Sequence, residues 1–144
     1  MGLAACGNDD EEEGPKVDTA SIVGLWEMEN IKGTLTEDGE KATFDVSPKT
    51  DWARFYELDV TDYTRFDFKS DKTFIGYEYM NGEWRQYANN TSYVINGNQL
   101  TLYKGGKSEK YTIKSFKSDQ MVLYFEESGG DYKLSMDVTY KKTN

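Results

Sequence analysis

The sequence predicts an all-β fold, an eight-stranded antiparallel up-and-down β-barrel. Three observations carry that expectation. Aromatic residues make up 15% of the 144 residues, and aromatics fit pleated, half-buried surfaces. From Ile22 onward apolar and polar residues alternate over short runs, the period of a strand with one buried face. Thirteen glycines against two prolines punctuate those runs at intervals short enough to force antiparallel neighbours.

The strands follow in order. Leu25–Ile31, led by Gly24, is the first, and a long polar stretch from Thr34 to Asp62 separates it from the next. Thr64–Lys69 sets Phe66 and Phe68 on one face and Arg65, Asp67 and Lys69 on the other. Ser70-Asp71-Lys72 turns the chain into Thr73–Met80, which Asn81-Gly82 breaks. Ser92–Ile95, Asn96-Gly97-Asn98 and Leu100–Tyr103 form the strongest hairpin, because an Asn-Gly pair accepts the positive φ angles that match strand twist. Lys110–Phe116, Gln120–Glu126 and Tyr132–Lys141 complete the set, with Tyr132, Leu134, Met136, Val138 and Tyr140 on one face of the last. Eight such strands either leave two open edges or close, and closure removes the edges.

Within Thr34–Asp62, Ser47-Pro48 is a start signal for a short helix carrying Trp52, Phe55 and Tyr56 at i, i+3 and i+4. An extended arm over Arg54–Val60 fits the same residues.

Charge and chemistry exclude several functions. The net charge of −9 argues against a nucleic-acid partner, since phosphate neutralisation needs clustered Lys and Arg. Histidine is absent, which removes Ser-His-Asp and Cys-His catalysis and the commonest zinc ligand. One cysteine permits neither an internal disulfide nor a Cys-cluster metal site. The expectation is a protein that is not an enzyme, with no catalytic residue, no metal and no cofactor. Glu57, Asp59 and Asp62 read as a solvated loop face.

The first 19 residues form a separate segment before the barrel domain of residues 20–144. Leu3-Ala4-Ala5-Cys6-Gly7 resembles a bacterial lipobox, in which the cysteine thiol receives a diacylglyceryl group. Only five residues precede Cys6, so the apolar run of a signal peptide is expected upstream of Met1. Gly7-Asn8 and the acidic run Asp9–Glu13 resemble the signal that sends Bacteroidetes lipoproteins to the outer face of the outer membrane. Asp18-Thr19-Ala20 matches the Asp-Thr-small pattern of Bacteroidetes O-glycosylation, but three residues are a weak signal and a helix-capping Asp or Thr is the favoured reading. No apolar stretch approaches the ~20 residues that span a bilayer, so Cys6 is the expected membrane anchor.

The body of the chain resembles the lipocalins. Gly24-Leu25-Trp26 is similar to their Gly-x-Trp signature. Phe68-Lys69-Ser70-Asp71-Lys72-Thr73-Phe74 and Ser92–Leu102 are similar to two hairpins of bacterial lipocalin-like domains. The resemblance spans about Ser21 to Lys142 and implies that Trp26 closes one barrel end under Lys141 or Lys142, where an arginine is usual. It also implies that the long connection lids the open end, with Trp52, Phe55 and Tyr56 at the mouth of a cup.

The candidate ligand-binding set is therefore Trp52, Phe55, Tyr56, Phe66, Phe68, Leu100, Leu102 and Met136, with Gly24 and Trp26 structural. The same large side chains also fit a barrel that is simply filled. The implied function is a surface-anchored lipoprotein binding a small hydrophobic or amphipathic ligand. The alternative is an interaction module that uses its outer face, where Tyr77, Tyr79, Tyr87, Tyr93, Tyr103 and Tyr111 are candidates for a glycan platform. Either way the expected partners are a membrane, a small ligand or outer-membrane proteins.

Overall fold

The computed structural model describes Val17, residues 19–87 and residues 91–143. Cys6, the acidic run and Asp18 lie outside the described residues.

Among the described residues, a single helical turn, α1 (Thr19–Ile22), is followed by ten strands and one further helix. They are β1 (Gly24–Glu37), β2 (Glu40–Val46), α2 (Trp52–Leu58), β3 (Thr64–Phe68), β4 (Phe74–Met80), β5 (Glu83–Gln86), β6 (Thr91–Asn96), β7 (Gln99–Lys104), β8 (Lys107–Phe116), β9 (Gln120–Gly129) and β10 (Tyr132–Thr143). All belong to one antiparallel sheet ordered β5-β4-β3-β1-β10-β9-β8-β7-β6, with β2 paired to β1 off this path. β10 pairs with β1 from Tyr132↔Glu37 to Thr143↔Leu25, which brings the last strand back beside the first. The sheet curls until β6 reaches the start of β4. There Thr73 and Ser92 form an antiparallel bridge, Tyr93 N–H donates to Lys72 O at 2.9 Å, and the Thr91 hydroxyl donates to Phe74 O.

The all-β antiparallel fold agrees with the sequence reading, but the strand count is ten rather than eight. Both added strands come from turns that pair an acidic or amide residue with glycine. Asp38-Gly39 has φ of 52° and 82°, and Asn81-Gly82 has 52° and 84°. Positive φ at both central residues folds a strand back on itself with the right twist. Asn81-Gly82 therefore reverses the chain into β5 instead of ending a strand, and Asp38-Gly39 creates β2 inside the long polar stretch. Glu37, Glu40 and Lys41 hid that second hairpin, since three exposed charges interrupt the alternation.

Inward faces alternate as the pleat requires. Thr64, Phe66 and Phe68 on β3, Leu100 and Leu102 on β7, and Leu134, Met136, Val138 and Tyr140 on β10 are all buried. Thr64 apart, they form one packed cluster with Met28, Ile31, Phe74, Tyr93, Ile113, Met121 and Leu123. Ring centroids of Phe66, Phe68, Phe74 and Tyr93 lie 4.9–5.8 Å apart in tilted and edge-to-face pairs.

At one end Trp26 is fully buried and donates its Nε1–H to Ile22 O at 2.8 Å. Phe116 packs on it at 5.7 Å, and Lys142 Nζ lies 5.5 Å from its ring centroid. Lys142, not Lys141, is thus the basic residue against the tryptophan. Gly24 has φ 139°, and a Cβ there would lie 2.5 Å from Lys142 Cε. The glycine two residues before the tryptophan is needed for the backbone angle and for the lysine that crosses it.

Val17 is buried against the same core, and its N–H meets Gly97 O at 3.4 Å.

Candidate functional site

Three of the five large apolar side chains left exposed among the described residues, Trp52, Tyr56 and Met80, line one cleft of about 980 Å³. That cleft lies on the outside of the sheet. Its floor is made by side chains that point away from the packed interior, and α2 forms its wall.

The floor follows from the pleat. Thr64 and Phe66 face inward, so Tyr63 and Arg65 face out. Phe74 and Gly76 are buried inward, so Tyr77 and Tyr79 face out on β4. Register places Trp84 of β5 opposite Tyr79, and their centroids stand 5.3 Å apart in an edge-to-face pair. Glu27 of β1 is opposite Arg65. Its Oε1 accepts from Arg65 Nε at 2.9 Å and Nη2 at 2.7 Å, and its Oε2 accepts from the Tyr63 hydroxyl at 2.6 Å. The Arg65 guanidinium in turn lies 4.2 Å from the centroid of Trp84. Burial first, and then the bond to Glu27, push the Tyr63 hydroxyl well above the ordinary phenol range.

The wall begins at Ser47, whose hydroxyl donates to Glu29 O at 2.7 Å and fastens the chain after β2 to β1. Ser47 is not the helix cap. Asp51 takes that position and accepts from Arg54 N–H at 3.4 Å, and Asp59 ends the helix in the left-handed conformation. The sequence left a helix and an extended arm open here, and the structure has the helix. Trp52, Phe55 and Tyr56 share the face turned to the sheet. Phe55 is buried against Tyr63 at 6.2 Å, and Trp52 meets Tyr79 at 5.5 Å and Tyr63 at 6.1 Å. Tyr56 stays 71% exposed at the rim. Lys49, Asp59, Asp62 and Glu78 also line the opening.

The residues expected to share one cup thus occupy two places. Phe66, Phe68, Leu100, Leu102 and Met136 lie in the packed interior, each no more than 4% exposed. Trp52 and Tyr56 lie outside the sheet at the cleft, while Phe55 beside them is buried and continuous with the core. The tyrosines divide likewise. Tyr79 lines the cleft, and Tyr77 and Tyr103 face outward elsewhere on the sheet. Tyr93 is in the core, and the Tyr87 ring covers Gly76 from inside. Tyr111 donates to Glu109 at 3.1 Å, which also receives Lys104 at 2.7 Å, and Tyr140 shares a 2.8 Å hydrogen bond with Thr64. Tyr93, Tyr111 and Tyr140 are thus inner polar groups satisfied within the protein.

Glu27, Tyr63, Arg65 and Trp84 were missed by sequence reasoning. Trp84 sits on a strand hidden behind Asn81-Gly82. A usable signal was present in the alternation, because the outward positions of β4 carry Tyr77 and Tyr79 where a solvated face would carry charge.

A model of the lipocalin-like domain matches residues 22–123, from the end of α1 into β9. The chain belongs to the lipocalin-like domain family. Among solved structures it is similar to the isotype 1 transferrin binding protein B of serogroup B Neisseria meningitidis, with 13% identity and a TM-score of 0.46. That similarity covers 92% of this chain but only 27% of the other, so the chain spans about a quarter of the larger protein. Comparison with curated proteins gives no match. In this lipocalin-like chain the outward aromatic cleft stands apart from the interior of the curled sheet.

Proposed function

We propose that this lipocalin-like protein is a non-enzymatic, surface-anchored lipoprotein that holds a small amphipathic ligand in the outer cleft between α2 and strands β3–β5. One observation carries the reading. The interior is filled by large side chains, whereas Trp52, Tyr56 and Met80 are left exposed together around one concavity. Soluble proteins rarely leave clustered apolar surface uncovered without a binding role. Aromatic faces beside Arg65, Lys49, Asp59 and Asp62 suit a ligand with one apolar side and one polar side.

The lipobox-like Leu3-Ala4-Ala5-Cys6 and the acidic run behind it support a lipid anchor at Cys6 and display on the outer surface of the outer membrane. Two acyl chains or more make such an anchor firm.

Native mass spectrometry on lipidated protein from its own host tests both parts. A lipid mass on Cys6, absent after Cys6→Ser, is the expected result for the anchor. For the site, a small molecule retained by the wild type and by Leu102→Ala, but lost from Trp52→Ala, is expected. Loss from Leu102→Ala with retention in Trp52→Ala would move the ligand to the interior.

A further inference from the structure

We infer that the ligand of the outer cleft carries an alkylated ammonium group, as a small soluble organic cation. The inference rests on the cleft being the binding site and adds the chemical class of what it takes.

Two features converge on a cation. The first is aromatic enclosure. Trp52 and Tyr56 stand exposed at the opening beside Tyr79 and Trp84, with Tyr63 buried beneath them, and exposed π faces attract positive charge held near the ring. The protein already uses one of these faces in that way, since Arg65 lies 4.2 Å over Trp84. Arg65 is also tied to Glu27 at 2.7 Å, so that pair neutralises itself and leaves the other faces free of an internal cation.

The second feature is the charge that remains. With Glu27 and Arg65 paired, and with Glu78 at an inward position of β4 opposite Thr64, the lining keeps Asp59 and Asp62 against Lys49. An aromatic cleft with one surplus negative charge disfavours carboxylate and phosphate ligands. It attracts cations, and the potential is strongest where the aromatic walls exclude water.

The type of cation follows from the geometry. A bare ammonium is strongly hydrated and needs several acceptors close by, whereas the walls of this cleft are rings. An alkylated ammonium spreads its charge over methyl groups, loses less hydration and covers the exposed Trp52 and Tyr56 with apolar surface. The carboxylates then act at longer range from the rim.

The test compares choline with its uncharged isostere 3,3-dimethylbutan-1-ol, using tryptophan fluorescence and calorimetry on the full chain. Choline is expected to bind about tenfold more tightly, a difference of about 1.4 kcal/mol. That preference should shrink severalfold in Asp59→Asn/Asp62→Asn, whose side chains keep their shape, and should fall with added salt. Equal binding of both compounds overturns the inference and leaves the cleft standing as a site for neutral ligands. Failure of both compounds to bind also overturns it. The mass-spectrometric comparison of Trp52→Ala with Leu102→Ala then decides separately whether the cleft is the site.

Discussion

Arg65 lies over the ring of Trp84, 4.2 Å from guanidinium carbon to ring centroid, while Glu27 grips the same guanidinium from the neighbouring strand. This contact joins β1, β3 and β5 on the outer face and sets the floor on which α2 rests.

Removing that guanidinium should therefore cost stability and disturb the cleft together. Arg65→Ala exposes one face of Trp84 and leaves Glu27, only 15% exposed, with the Tyr63 hydroxyl as its remaining partner. Arg65 itself is 30% exposed, so solvent screens the ion pair. We expect a loss of about 1–2 kcal/mol, read as a lower urea midpoint with unchanged slope. A red shift of tryptophan emission should accompany it.

The Asn81-Gly82 turn should matter to the site more than its position at the sheet edge indicates. Gly82→Val places a β-branched residue at φ 84°, at a cost of about 1–3 kcal/mol. Among the described residues β5 pairs in the sheet with β4 alone, so the expected outcome is local detachment of Trp84 from Tyr79. Faster hydrogen exchange confined to β4 and β5, with the β7–β10 amides unchanged, would show it.

Leu102→Ala separates packing from binding. Leu102 is fully buried, and truncating such a leucine costs about 2–5 kcal/mol. Thermal denaturation should show the loss, while ligand affinity measured below the midpoint should stay near the wild-type value. A ligand lodged among Phe68, Leu100 and Leu102 would lose affinity along with stability.

Alkaline pH should unfold the protein cooperatively. Burial raises the Tyr87, Tyr111 and Tyr140 phenols, all turned inward, above the ordinary value of 10.0. A raised phenol favours the protonated form in the folded state. Its contribution is complete below the unfolded value and declines as pH rises past it, because the unfolded chain then binds fewer protons. In ultraviolet difference titration these inner phenols should ionise only as circular dichroism reports unfolding, and gradual ionisation without unfolding would contradict their burial.

Strand existence was legible wherever one face is buried and the other wet. Phe66 and Phe68, Leu100 and Leu102, and the run from Leu134 to Tyr140 announced themselves by period alone. The outer site was not legible, because it uses the opposite positions of the same strands. Tyr63, Tyr79 and Trp84 count as ordinary strand aromatics until register shows them side by side, and Arg65 counts as a solvated charge until Trp84 is placed beneath it. Trp52, Phe55 and Tyr56 were legible as one helix face, but nothing local states which surface that face covers.

By itself the sequence determined the antiparallel all-β class, the Gly24–Trp26 signature, most strands and the facing of their side chains. These properties depend on period, turn chemistry and backbone sterics, all of which act within a few residues. Only the tertiary structure decided that α2 packs outside the sheet, that Lys142 crosses Trp26, and that the candidate residues divide between a filled interior and an outer cleft. Each of those depends on contacts between strands distant in sequence, and their register is set by how the whole sheet curls.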